Sequence, residues 1–311
     1  MKTRYECRVA GGEWRELSAG MLRRVAIGIL LLAGSVFAQQ DMNMEVTGFR
    51  VPEYDGQGVM TSQLFGDRAE MEGGGEVKIT GLRIEFYKDG KTAVTVTSPY
   101  CFYNQNTREA HSDAPVEANM DRLHMTGRGF LLQSSNGTVR VLNDSRVTIK
   151  NAMQLKESFS IGGETNSPAV AAAGNSDTNV TVITSKELFL EYKARKARFE
   201  HDVHVQDAKM EMFCDTLELQ MGQDNQIDWI GASTGVRILN EGREALAGKA
   251  SYDVKNDEFI LEDNPRIIDG RNMLMGETIR FWRESRRMVC EPSARIVVYS
   301  DKNLKTDFFE K

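Results

Sequence analysis

The sequence has few cysteines and no excess of basic residues, and both shortages exclude classes of function. Only four of the 311 residues are cysteine, and Cys101, Cys214 and Cys290, which follow the N-terminal region, lack the spacing of a zinc site. Three such residues allow one disulfide and a free thiol and leave the pairing open. The 45 acidic residues outnumber the 39 basic ones. Because nucleic-acid binding requires clusters of Lys and Arg, the sequence predicts no nucleic-acid partner.

Recognisable catalytic motifs are also missing. The sequence contains no phosphate-binding loop, nucleophile elbow or zinc-protease helix motif. His201 and His204 are three residues apart, which places them on opposite faces of a strand and argues against a metal pair. Carboxylates are numerous, but no pair is singled out as a glycosidase would require. We therefore predict no catalytic residue, no metal, no cofactor and no enzymatic activity.

The N-terminal region predicts export. Residues 21–24 form a basic start, residues 25–37 are apolar, and Val36-Phe37-Ala38 fits signal cleavage after Ala38. Residues 1–20 resemble no signal, which favours translation from Met21. The apolar run is shorter than the roughly 20 residues that span a bilayer. We expect an exported protein with a cleaved signal; the alternative is an uncleaved anchor that keeps the protein associated with the membrane.

The rest of the chain lacks a helix-length apolar stripe and instead alternates apolar and polar residues with the period of a strand. Asp89-Gly90 and Asn136-Gly137 lie between such segments and predict hairpin turns. Residues 151–180 are rich in Gly, Ala and Ser and predict a flexible linker. The predicted organisation is a β-domain over residues 46–150, this linker, a second β-domain over residues 181–300, and a tail over residues 301–311.

Three short windows are similar to one another and suggest internal repetition. They begin at Leu123, Met210 and Met273, and each follows an acidic or Asn-containing turn. A unit of this kind is a hairpin of roughly 30 residues, which cannot bury its apolar face without a stacked neighbour.

The alternating apolar residues are the candidate functional residues. A long one-sided sheet with no helix to cover it must close on itself, pack against another sheet or hold a ligand. Methionine is frequent and adapts to variable acyl chains, although ordinary core packing is the competing interpretation. The candidates for a lipid groove are Leu123, Met125, Val203, Val205, Met210, Met212, Leu217, Leu219, Trp229, Val236, Ile238, Phe259, Leu261, Ile267, Met273, Met275, Ile279 and Phe281.

Residues 197–298 resemble the OstA-like domain of the LptA family of lipopolysaccharide export. The similarity lies in Ala197–Asp207, which contains the family's V-x-V-x-D, in Gly248–Asp253, in Phe259–Ile267 and in Met275–Ile279. Within Phe259–Ile267, an aspartate replaces the glycine that the family usually has before Asn-Pro.

Residues 46–150 resemble the LptC family more loosely. This similarity lies in Phe49–Gly58 and in the strand and turn of Ile84–Gly90. LptC usually keeps a transmembrane anchor, whereas the short N-terminal signal predicted for this chain is a departure from that pattern.

The resemblance implies an all-β fold of two OstA-like antiparallel β-jellyroll units, each a V-shaped trough, which can stack into one continuous sheet groove. It also implies a periplasmic protein that shelters the acyl chains of lipopolysaccharide or a related glycolipid and relays them from the inner-membrane exporter toward the outer membrane. The implied partners are other jellyroll proteins of the bridge, joined by edge-strand addition, the inner-membrane ABC exporter and the outer-membrane translocon, with homo-oligomers as a further option. The alternatives are an envelope scaffold that assembles through sheet edges without carrying lipid, and a carbohydrate-active enzyme on a β-solenoid.

Overall fold

The structure is a computed structural model. The structure describes residues 45–299 apart from 72–74, 89, 105, 108, 121–122, 134–137, 151–179, 192–193, 209, 223–226, 241, 283–284 and 286. The predicted signal, the tail at 301–311 and all of the predicted linker except its last residue lie outside the described residues. That last residue, Val180, begins a strand, so the predicted linker extends one residue too far.

The described residues form an all-β protein, as the alternation predicts. Nineteen strands join into one antiparallel sheet. The strands are β1 (Glu45–Tyr54), β2 (Met60–Met71), β3 (Glu76–Lys88), β4 (Lys91–Asn104), β5 (Glu109–Met120), β6 (Leu123–Gln133), β7 (Thr138–Lys150), β8 (Val180–Ser185), β9 (Glu187–Glu191), β10 (Lys196–Gln206), β11 (Met210–Met221), β12 (Ile227–Asn240), β13 (Arg243–Asp253), β14 (Glu258–Glu262), β15 (Arg266–Asp269), β16 (Asn272–Met275), β17 (Thr278–Trp282), β18 (Arg287–Glu291) and β19 (Arg295–Val297).

Both predicted hairpin turns lie between paired strands. Lys88 pairs with Lys91 around Asp89-Gly90, and Gln133 pairs with Thr138 around Asn136-Gly137. The three similar windows do not all adopt the same structure. Those at Leu123 and Met210 each begin a long strand, whereas the one at Met273 covers β16, a break and β17. A Gly276-Glu277 step separates these two short strands, so the third window forms two shorter elements.

A crease crosses the sheet and divides it into two leaves. Most long ladders change register near the middle of their strands, and β7, β10 and β13 each pair with two short strands in succession. Residues with positive φ concentrate along this line, because an extra or turned residue is what bends a strand. They include Gly48, Gly81, Gly129, Asp144, His201, Asp202, Thr234, Gly235, Asp263, Asn264 and Ser293.

The two leaves bury their inner faces against each other. One hydrophobic core extends from Leu64 in β2 to Phe281 in β17. Ile183 and Met212 belong to this core and are completely buried, and no helix occurs among the described residues. The bent, two-leaved antiparallel sheet agrees with the predicted jellyroll class.

Gly81 is expected to be a sensitive position of the crease. Its φ is +64°, and a Cβ there would lie 2.0 Å from the Asp67 carboxylate oxygen Oδ2. The left-handed backbone alone costs a non-glycine residue about 1–2 kcal/mol. We expect Gly81→Ala to lower the free energy of unfolding by more than this amount, measured by urea denaturation.

The matched control is Gly90→Ala, at a φ of +72° with no heavy atom within 4 Å of the added Cβ. Gly90→Ala should lower the free energy of unfolding only by the cost of the left-handed backbone, because its Cβ has no contact like that with Asp67. Equal losses in the two variants would contradict a crowded crease at Gly81.

Candidate functional site

An unbroken line of paired apolar residues crosses fifteen strands on the inner face of one leaf. Each member is the direct cross-strand partner of the next, so their side chains lie on the same face. At about 4.8 Å per strand, the line extends roughly 65 Å along the sheet. We call it the first inner row: Val51, Leu64, Ile84, Val96, Ala118, Met125, Val147, Ile183, Val205, Met212, Ile238, Ala245, Ile267, Leu274 and Ile296.

The other leaf carries two further apolar lines. The second inner row is Phe130, Val141, Leu188, Phe199, Leu217, Ala232, Ala250, Leu261 and Ile279. The third inner row is Val77, Tyr103, Ala110, Leu132, Val139, Leu190, Ala197, Leu219, Ile230, Tyr252, Phe259, Phe281 and Met288. All three rows continue from the first half of the chain into the second through β8 or β9. The apolar face is therefore common to both halves.

The side chains in the middle of the first inner row are fully buried, and those toward its ends are more exposed to solvent. Ile183, Val205, Met212 and Ile238 have no exposed surface. Toward β1, Val51, Ile84 and Val96 are only partly buried, and at the opposite end Ile296 is 51% exposed. The protein's own side chains thus fill the middle of the space between the leaves. An acyl chain would enter this region only if the leaves separated or the side chains rearranged.

Most of the predicted groove candidates lie on this inner face. Eleven belong to the three rows: Met125, Val205, Met212, Ile238 and Ile267 to the first, Leu217, Leu261 and Ile279 to the second, and Leu219, Phe259 and Phe281 to the third. Val203, Met210 and Val236 are buried beside them, and Leu123 packs partly against the core. Their role in lipid binding stays a prediction.

Trp229, Met273 and Met275 do not share this face, and their place in a lipid groove is not supported by the pairing of their strands. Trp229 pairs with Gln220 and Asp253 and is 36% exposed, while the next residue, Ile230, belongs to the third row. Met273 and Met275 flank Leu274, which is the buried member of β16.

The misplaced residues share a cause. Trp229-Ile230 and Met273-Leu274-Met275 are runs of consecutive apolar residues, and a period of two does not select one face in such a run. Within these two runs, the residues that lie on the inner face are Ile230 and Leu274, which are absent from the predicted candidates. Ile183 is also absent from the predicted candidates, because Val180-Thr-Val-Ile has apolar residues at both even and odd positions and a period of two does not select one face.

The three cysteines of the described residues are free thiols. Cys101 and Cys214 are buried on the inner face, where Cys101 pairs with Ile79 and Cys214 with Val203. Burial raises the pKa of each of these two thiols to about 12. Because the thiolate is the reactive form, both behave as small apolar groups at neutral pH.

The histidines form no metal site. His201 lies in the crease, 3.5 Å from an Asp215 carboxylate oxygen, and His204 stacks on Phe213 with ring centroids 4.5 Å apart. Within the described part of the chain, no group of three His, Cys, Asp or Glu side chains is arranged to hold a metal ion. That part also contains no helix long and apolar enough to span a membrane.

Noncovalent contacts between charged and aromatic side chains connect the two halves on the outer face of their junction. Phe189 in β9 lies between the guanidinium groups of Arg140 in β7 and Arg198 in β10, at 4.7 and 4.9 Å from its ring centroid. Arg140 also donates hydrogen bonds of 3.0 and 2.6 Å to Glu187. Cation–π contacts and paired charges of this kind connect the last long strand of the first half to the first long strand of the second.

Comparison with known proteins gives two family matches. Residues 39–150 match the model described as "Lipopolysaccharide-assembly, LptC-related", and residues 182–287 match "LptA/(LptD N-terminal domain) LPS transport protein". No curated protein matches the chain. Among solved structures, the chain is similar to LptH from Pseudomonas aeruginosa, described as the LptA-homologous periplasmic component of the lipopolysaccharide transport device. That likeness has 14% sequence identity and a TM-score of 0.35, and covers 39% of this chain and 95% of LptH.

The matched families consist of transport proteins rather than enzymes, in agreement with the prediction of no enzymatic activity. The chain therefore joins a segment similar to LptC-related proteins to a segment similar to lipopolysaccharide transport proteins of the LptA/LptD N-terminal type.

Proposed function

We propose that this protein holds the acyl chains of lipopolysaccharide between its two leaves and passes them from the LptC-related half to the LptA-like half. The observation that supports this most directly is the continuity of the first inner row, whose fifteen members are all apolar and paired across both halves. A lipid that moves along such a row exchanges one apolar partner for the next. Since exposure of each CH₂ to water costs about 0.8 kcal/mol, a continuous apolar path keeps the barrier to movement low.

Loading requires that the leaves part. The central residues of the row are fully buried, so contacts between the leaves must be replaced by contacts with acyl chains. The crease, with its positive-φ residues and register shifts, is the line about which such an opening would occur. Because several acyl chains bury many CH₂ groups, their transfer can offset the lost contacts between the leaves. Directional movement would draw its energy from a separate exporter.

The proposal places the protein in the periplasm, with its sheet edges available to neighbours. Within the described residues, β1 pairs only with β2, β18 only with β17, and β19 only with β16. Unpaired strand edges add strands from other chains, which suits assembly with further jellyroll proteins, with the exporter at the inner membrane and with the translocon at the outer membrane. The same edges would serve the scaffold alternative.

Photo-crosslinking separates the carrier from the scaffold. A benzophenone amino acid at Val96 lies in the first inner row, whereas at the adjacent Thr97 it lies on the outer face. In cells, we expect lipopolysaccharide adducts from position 96 and none from position 97, detected by immunoblotting. A lack of adducts at Val96, or equal adducts at both positions, would favour the scaffold.

A further inference from the structure

Five apolar side chains form a continuous strip at one end of the first half, and we term this strip the apolar rim. Phe86 pairs with Val94, and Val94 pairs with Met120. β5 ends at Met120 and β6 begins at Leu123, which pairs with Ile149. Each member lies two residues from the first inner row on its own strand, so the apolar rim extends the same inner face outward.

The apolar rim is accessible, while its counterpart in the second half is closed. Met120 is 45% exposed, and the other four members are partly exposed. The equivalent positions of β11 and β12 are Met210 and Asn240, which pair with each other and are only 2% and 7% exposed. Access from solvent to the inner face at this end of the sheet is therefore greater in the LptC-related half.

The surroundings of the apolar rim favour an acyl chain over a protein strand. Its members lie on β3 to β7, and each of these strands is already paired on both sides near the rim, so no backbone edge is free for strand addition. The strip is one side chain wide, as a single extended hydrocarbon chain requires. Exposed Lys91 and Lys150 lie at the strand ends that carry Val94 and Ile149, where their ammonium groups complement an anionic head.

We infer that the apolar rim is the loading site, where an acyl chain of an anionic glycolipid first contacts the protein before it passes inward to Ile84 and Val96. This inference rests on the proposed function and specifies where on the chain that function begins. The rate of lipid uptake should therefore depend on the apolar rim, whereas the amount of lipid that the inner face holds should depend on other residues.

The test compares two substitutions at equally exposed positions. Met120→Glu places a carboxylate in the apolar rim, and Leu131→Glu places one at a residue of the same 45% exposure on the outer face of β6. Fluorescently labelled lipopolysaccharide micelles are mixed with the purified protein, and the uptake rate is followed by fluorescence. We expect Met120→Glu to slow uptake by about tenfold, since burial of one apolar side chain contributes about that factor, and Leu131→Glu to leave the rate unchanged.

The outcomes distinguish this inference from the proposed function. Unchanged uptake in Met120→Glu, or equal slowing in both variants, overturns the loading site, while adducts from a benzophenone at Val96 would still support the carrier. No adduct at Val96 in the otherwise unaltered protein overturns the carrier, and the loading site with it. If Met120→Glu does not fold, Val94→Thr keeps the side-chain shape, replaces one methyl group by a hydroxyl and should also slow uptake.

Discussion

Replacement of Met212 by alanine is expected to lower the free energy of unfolding by about 2–5 kcal/mol, the usual range for truncating a fully buried large side chain. Met212 has no exposed surface and pairs with Val205 and Ile238, so the truncation leaves a cavity in the closed middle of the first inner row. The loss is measured by urea denaturation of the purified protein.

The same truncation is expected to strengthen acyl-chain binding. In the unloaded protein the Met212 side chain occupies space that a lipid must use, and an apolar cavity accepts an apolar ligand without displacing packed atoms. Affinity for a short-chain fatty acid should therefore rise in Met212→Ala although stability falls, as measured by calorimetric titration.

Met275→Ala is the matched control, because Met275 is half-buried on the opposite face of its strand. It should cost much less stability and leave fatty-acid affinity unchanged. If Met212→Ala lost affinity in parallel with stability, Met212 would be a lipid contact rather than a side chain that fills the closed groove.

The fold class was accessible from the sequence because alternation is a local property. Turns such as Asp89-Gly90 are encoded by adjacent residues, and the strands on either side need only a period of two. The crease was not predictable in the same way. His201-Asp202 and Asp263-Asn264 adopt positive φ in the fold, although nothing in their immediate sequence distinguishes them from other polar pairs between strands.

The site was only partly predictable, for a related reason. Register shifts at the crease change the parity of the inner residues along a single strand: in β11, Met210 and Met212 are buried on one side of the shift, and Leu217 and Leu219 on the other. Both pairs were predicted because each alternates within itself. Where apolar residues are consecutive, as at Trp229-Ile230, only the partner strands select the inner member. Pairing between strands distant in sequence is a tertiary property that a single sequence does not display.

The junction between the two halves determines whether the chain acts as one carrier or two. β8 and β9 each pair with β7 of the first half and with β10 of the second, so the described strands leave no free sheet edge between the halves. Buried polar contacts support the inner side of this junction, since the Ser145 and Ser185 hydroxyl oxygens lie 2.6 Å apart and form a hydrogen bond. In an assembly of separate subunits, such a contact would form and break. Within one chain, the covalent linkage keeps the two halves together and raises the effective concentration of each half for the other.

Replacement of Ile183 by aspartate is expected to destabilise this junction by about 3–5 kcal/mol, because it leaves a buried carboxylate without a partner. Ile183 is completely buried and pairs with Val147 of the first half and Val205 of the second. We expect the single unfolding transition of the unaltered protein to separate into two, since the halves lose their shared inner row. Lipopolysaccharide adducts should persist from a benzophenone at Val96 and fall strongly from one at Phe281, because the acyl chains would have to pass a charged group.

Thr184→Asp is the matched control for this last variant. Thr184 is the next residue of β8, lies on the outer face and pairs with Arg146, so a carboxylate there is solvated and close to a cation. It should unfold in one transition and give adducts at both positions. If Ile183→Asp also gave undiminished adducts at Phe281, lipid would reach the second half by a route other than the first inner row, and the continuity of that row would have no part in transfer.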